Sequence, residues 1–203
     1  MNKIGNFESI GCDCEFGLVQ RTLNYEPMTL LRWSSINLHS LVRMIDDDFK
    51  DLKNIDTYDI DRNDDLEYMV TNTSYHLWSH TDTRHDTSKS ELIESSFKRI
   101  NYLQRQFVKE AKNNKKIYVH KSKSITTEEM QLLYNAMKSL GADRILFVLK
   151  DIDLKNTFVE SEFGLIAYIS DFYPNTKFDE WESILDYALE YFNENNISHN
   201  KSV

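Results

Sequence analysis

The chain is short of residues that punctuate a backbone: two Pro and five Gly among 203 residues. That scarcity excludes a collagen-like repeat and a long flexible linker. Its two cysteines, Cys12 and Cys14, stand one residue apart and cannot build a disulfide framework. No apolar run in the chain approaches the roughly eighteen residues of a membrane-spanning helix, so no membrane insertion is expected. The stretch from Met1 to Glu8 lacks the apolar core of a secretory signal, which makes the cytoplasm the expected compartment. Cations are also in deficit, with 24 Lys+Arg against 33 Asp+Glu for a net charge of −9. Nucleic-acid affinity comes largely from phosphate neutralisation by Lys and Arg, so no nucleic-acid partner is expected.

What is present suits a folded core. Hydrophobic residues make up 40% of the chain, including eleven Phe, eleven Tyr and three Trp. A chain of this length buries roughly 70% of the surface exposed by its unfolded form. Residues 4–11 read as a strand and Glu15 to Leu23 as a helix, which Asn24-Tyr25-Glu26-Pro27 ends. From about Asn37, Leu38, Leu41, Val42, Ile45 and Phe49 make an apolar helical stripe. Residues 46–67, with ten Asp and Glu, read as a polar acidic excursion: a loop, or a patch for a partner. Its Asp59-Ile60-Asp61 lacks the glycine turn and terminal glutamate of a calcium loop.

Tyr68 to Ser79 reads as two short strands around a turn. Capping boxes at Ser88-x-x-Glu91, Thr126-x-x-Glu129 and Asp179-x-x-Glu182 predict three later helices. Between them Ile117–His120, Arg144–Leu149 and Leu165–Ile169 are strand-like apolar runs. This alternation predicts an α/β fold: a single layered domain over residues 1–192 with a mostly parallel sheet flanked by helices. Residues 193–203 read as a polar C-terminal tail.

Three places carry candidate chemistry. Cys14 falls at a strand-to-helix turn, where a helix N-terminus lowers a thiol pKa and creates a nucleophile, although Asp13 and Glu15 oppose this. The alternative is that Cys12 and Cys14 are small core residues, sharing a face if the backbone stays extended there. A metal site would need ligands beyond this Cys-x-Cys pair, and none is expected. The second place is His76 to Asp86, with His80, Arg84, His85 and Asp86 in a polar segment before a helix. There His85 is a candidate general base with Asp86 or Asp82 as orienter, against the reading of a solvated loop. The third is Arg21 with Glu26, Arg32 and Trp33, suited either to an anionic substrate group or to ion pairing inside the fold. His120 and Lys121 end a strand that would reach the same edge, and Ser9 and Gly11 precede the Cys14 turn.

Ser9-x-Gly11-x-x-Cys14, the Glu26-Pro27…Leu31-Arg32-Trp33 block and His85-Asp86 before a long helix resemble a bacterial family labelled papain-like cysteine peptidase, the DUF1796 group. The similarity runs over residues 5–150, with looser likeness around Phe163-Gly164-Leu165 and Trp181. The resemblance implies Cys14 as nucleophile, His85 as base and Asp86 as orienter. Ser9, Gly11, Arg32, Trp33, His80, Arg84, His120 and Lys121 are then the candidates for substrate contacts. This chain has Asp13 where the family often has Asn, and Leu31-Arg32-Trp33 where it often has Phe-Asp-Trp.

The leading expectation is thus a cysteine hydrolase or acyl transferase acting on a small-molecule, peptide or glycan substrate without a cofactor. One alternative is a glycosyltransferase or sugar- or nucleotide-binding protein of surface-polysaccharide assembly, suggested by the genes such proteins accompany. The other is a non-enzymatic partner-binding module using the acidic segment.

Overall fold

A computed structural model of the chain describes residues 3–62 and 67–199, with side chains in the last helix given as far as Glu194. Five strands form the main sheet: β1 (Phe7–Ser9), β6 (Ile117–Ser122), β7 (Ile145–Lys150), β9 (Gly164–Ile169) and β8 (Phe158–Ser161), in that spatial order. The first four run parallel and β8 pairs antiparallel to β9, so the fold is α/β with a mostly parallel sheet. A second, antiparallel sheet has the order β2 (Ser34–Ser35), β5 (Leu77–His80), β4 (Tyr68–Asn72), β3 (Tyr58–Arg62).

The apolar strands are continuous because both faces of the main sheet are covered. Tyr118, Ile145 and Phe147 point to one side, where α2 (Leu38–Asp46), α3 (Lys89–Asn113) and α4 (Thr127–Ser139) pack. Ile117, Val119, Leu146 and Val148 point to the other, against α1 (Glu15–Thr22) and α5 (Phe178–His199). Helix α3 also backs the second sheet, so one long helix ties the two sheets together. Asn37, Ser88 and Thr126 cap their helices by accepting from backbone amides, and Thr126 with Glu129 completes a reciprocal capping box. Among the described residues, no helix is long and apolar enough to cross a membrane.

Several boundaries differ from expectation. The segment 46–67 is not a plain loop: two short 3-10 turns lead into β3, whose Tyr58 and Ile60 face inward while Asp59 and Asp61 face out. Phe49 and Leu52 anchor it with no measurable exposure, so a few apolar residues suffice to order an acidic stretch. Residues 63–66 of that segment lie outside the described residues. The first strand is only Phe7–Ser9, preceded by a 3-10 turn. Helix α5 begins at Phe178, so Asp179 lies inside its first turn, and it continues to His199 through most of the expected tail. Residues 200–203 of that tail lie outside the described residues.

One feature of β1 costs stability. Glu8 is 3% exposed, and burial pushes its carboxyl up to about 7; Lys116 opposes the shift and Glu110 adds to it. The folded state therefore holds this proton up to near neutrality, whereas the unfolded chain releases it near 4.5. Across that interval the folded state binds more protons, so stability falls as pH rises and the full penalty stands above about pH 7. Glu8→Gln is expected to stabilise the fold by up to about 3 kcal/mol near pH 8 and by little near pH 4. Urea titrations of both proteins at the two pH values measure this.

Candidate active site

A cleft of about 650 Å³ lies where β1, β6 and β9 deliver their carboxyl ends, the usual position for a ligand in an open α/β sheet. Its walls include Cys14, Glu15, Trp33, Glu67, His80, Arg84, Lys121 and Tyr173. The main sheet thus supplies the floor, and residues adjoining or within the second sheet supply the opposite wall.

The turn into α1 is sharply formed. Gly11 has φ +91°, and a Cβ there would stand 2.6 Å from the Ile36 side chain. Cys12 also has positive φ, at 79°, a conformation that an L-residue with a side chain adopts only at a cost. The backbone therefore does not stay extended, and the two cysteines do not share a face: Cys14 lines the cleft and Cys12 does not. Cys12 is tied back instead, its amide donating to the Ile36 carbonyl at 3.2 Å and its carbonyl accepting from Ser35 Oγ at 2.8 Å. Cys14 is the N-cap residue of α1, and the Asp13 carboxylate accepts from the Glu15 amide at 2.9 Å.

Beneath that turn sits an ion cluster. Lys121 is buried at the end of β6, and its ammonium donates to Asp13 and, at 2.7 Å, to Glu15 Oε2. Glu15 is itself 2% exposed and also accepts from the Tyr173 amide at 3.1 Å and the Trp181 indole at 3.3 Å. Burial disfavours the charge on Lys121, but the two carboxylates outweigh it and hold the ammonium above its ordinary pKa. The expected substrate-binding Lys121 thus lines the cleft with its charge already engaged.

The thiol is not an independent thiolate. Burial, then the negative charges of Asp13 and Glu67, push Cys14 up to about 11, and Lys121 only partly opposes them. Across the cleft, His80 Nδ1 lies 2.9 Å from Glu67 Oε2. Glu67 also accepts from the Asp82 amide at 2.8 Å. Burial alone would raise the Glu67 carboxyl, but the hydrogen bonds of His80, Asp82 and Thr81 hold it below its ordinary pKa. An ionised Glu67 accepts, so the His80 proton is assigned to Nδ1 and a neutral ring keeps its Nε2 lone pair free. The His80 carbonyl further accepts from Arg99 at 2.8 Å, which fixes the backbone that carries the ring.

His85 and Asp86, the expected base and orienter, are elsewhere. Both are exposed and neither lines the cleft. Asp86 pairs with Arg62 at 2.8 Å, and the Thr83 carbonyl accepts from the Tyr68 amide at 2.9 Å, drawing this loop along the second sheet. Arg32 is 3% exposed and structural: it donates to the Pro27 and Gly17 carbonyls and to Glu26. Gly17 makes this approach feasible, since a Cβ there would meet the Arg32 carbonyl at 2.8 Å. Trp33 carries both Arg21 and Arg32 at 4.6 Å from its ring and lines the Cys14 cleft together with Arg84.

Ser9 and His120 are buried off the cleft, with Ser9 Oγ and His120 Nδ1 unpartnered. Burial pushes the His120 ring down to about 4, against weaker opposing effects of the Ile10 backbone, Glu129 and Asp13. Gly11 is likewise buried off the cleft, serving the turn. Among the described residues no group of three or more His, Cys, Asp or Glu side chains is placed to hold a metal ion.

Sequence reasoning missed Glu67, and it met Glu15 only as a charge opposing a Cys14 thiolate. Glu67 sits at the end of an acidic stretch and looks like one more surface carboxylate. Glu15 has a local signal, an acid in the first turn of a helix, but nothing in the sequence reveals its distant partners.

The fold and cleft define an α/β protein with a thiol, an imidazole–carboxylate pair and a buried ammonium around one cavity. No protein-family model matches the chain, and no curated protein matches it.

Removing the Lys121 ammonium would leave the Glu15 charge buried and uncompensated. Lys121→Met is therefore expected to destabilise the fold by about 3–5 kcal/mol near neutral pH. Adding Glu15→Gln to that variant is expected to recover part of the loss, and chemical denaturation of both variants measures the coupling.

Proposed function

We propose that the chain is a cysteine hydrolase or acyl transferase with Cys14 as nucleophile, His80 as general base and Glu67 as the group that orients His80. The observation that carries this reading is the 2.9 Å contact between His80 Nδ1 and Glu67 in the cleft that Cys14 lines. It keeps the catalytic cysteine implied by the resemblance to the papain-like cysteine peptidase family and replaces the expected His85 and Asp86. A nucleophile, a base and a third group orienting the base form the general constellation of thiol acyl transfer.

With a thiol titrating near 11, Cys14 is neutral at physiological pH and depends on its base. His80 Nε2 takes the thiol proton as sulfur attacks the substrate carbonyl carbon. The C–S bond forms while the carbonyl π electrons move to oxygen, and the positive end of α1 favours that developing charge. Glu67 stabilises the imidazolium. The tetrahedral species then collapses, the bond to the leaving amine or alcohol breaks, and His80 returns the proton to it. Water, or a second nucleophile in a transferase, attacks the thioester with His80 again taking the proton, and Cys14 is released as thiol.

A second reading has its own support. The raised thiol pKa, together with Arg84, Lys123 and the aromatic faces of Trp33 and Tyr173 in the same walls, suits a cleft that binds an anionic sugar derivative. In that case Cys14 only packs.

A p-nitrophenyl ester separates the two. The catalytic reading expects a thioester on Cys14, detected by intact mass, that is absent in Cys14→Ser and forms about 10²–10⁴-fold more slowly in His80→Ala. Equal acylation rates in wild type and His80→Ala contradict it. No acylation, with thermal stabilisation by uridine diphosphate glucose, favours the second reading.

A further inference from the structure

On the other side of β1 a separate cavity of about 290 Å³ opens between that strand and the C-terminal half of α3, and it shares no lining residue with the Cys14 cleft. Glu8 lines it from β1 and Glu110 from α3, and Tyr25, Tyr102 and Phe107 give it aromatic walls. Tyr102 is 51% exposed and Met28 79%, so the cavity is open to solvent. Glu8 is nonetheless 3% exposed, and among the described residues its carboxylate has neither a hydrogen bond nor an ion pair. The Tyr118 hydroxyl, fully buried and without a partner, lies within electrostatic reach of both Glu8 and Glu110.

Buried carboxylates are ordinarily paired or hydrogen-bonded, so a lone one facing a cavity calls for a donor. The chain's own nearest cation does not fill that role: Lys116 Nζ donates to the Gly5 carbonyl. Two carboxylates against one ammonium leave the lining net negative, and aromatic faces attract organic cations. We propose that this cavity binds a small primary-amine cation, whose ammonium donates to Glu8 while its carbon chain lies against the aromatic walls. Glu110 adds attraction from the facing helix, and Lys116 opposes it from the turn before β6. Tyr25 and Tyr102 line the same cavity from the loop after α1 and from α3.

The test is a protein-observed NMR titration of the full chain with n-butylammonium chloride, and n-butanol as the neutral control of similar shape. Saturable shifts confined to residues around Glu8 and Tyr102 are expected with the amine and not with the alcohol. Because Glu8 titrates near 7, binding should weaken about tenfold between pH 8 and pH 6. Glu8→Gln should weaken binding at least about tenfold and remove the pH dependence. Glu110→Gln, a milder change on α3, should weaken it a few-fold and leave the pH dependence in place. Equal binding of amine and alcohol, unchanged affinity in Glu8→Gln, or shifts that do not saturate would overturn the proposal. If Glu8→Gln does not fold, the pH dependence in wild type and in Glu110→Gln decides.

Discussion

The ion pair between Lys121 and Glu15 holds the candidate site together. Its two residues lie 106 positions apart, one at the end of β6 and the other in the first turn of α1. Glu15 also takes the Trp181 indole of α5 and the Tyr173 amide of the loop after β9. Four segments therefore converge on one buried carboxylate, and three of them, α1, the end of β6 and the loop after β9, line the cleft. Such a group tolerates burial only while every partner is present, so the cleft floor is ordered as a unit or not at all. Its place in the first turn of a helix adds a favourable dipole at no further cost in desolvation.

The same cluster shapes the chemistry above it. Asp13 and Glu15 commit the Lys121 charge, so little positive potential remains to stabilise a Cys14 thiolate. Burial and the negative neighbours then keep the thiol protonated, which is the opposite of what a cysteine at a bare helix N-terminus would do. Under the proposed function, activation falls to the imidazole across the cleft, whose Nδ1 faces Glu67 at 2.9 Å. In that proposal α1 and β6 anchor the floor, and the wall adjoining the second sheet moves the protons.

The layered α/β arrangement was legible in the sequence because its strands and helices differ in period. Ile117–His120 and Arg144–Leu149 are short apolar runs, whereas Leu92, Ile100, Leu103 and Phe107 recur at helical spacing. The strand β3 was masked by its charge: ten acidic residues across 46–67 hid the alternation of Tyr58 and Ile60. Cys14 stood out by its position at a turn. The choice between His80 and His85 did not, since both lie in one polar segment and only the strand end at His80 and the Arg62–Asp86 pair separate them. Glu67 and His80 approach because β4 and β5 pair as a hairpin; the two strands were legible, but the register that sets these side chains side by side was not. Arg32 and Trp33 were legible as a cluster, and Gly17 decides that Arg32 packs inward.

The central claim is that Cys14 and His80, and not His85, act on the same atom. A direct measurement is treatment of the folded protein with 1,3-dibromoacetone, which alkylates a thiol and then a neighbouring imidazole, followed by peptide mass spectrometry. The account predicts a three-carbon bridge between Cys14 and His80 that is lost in His80→Ala and retained in His85→Ala. A bridge from Cys14 to His85, or alkylation of Cys14 with no bridge to any histidine, would contradict it.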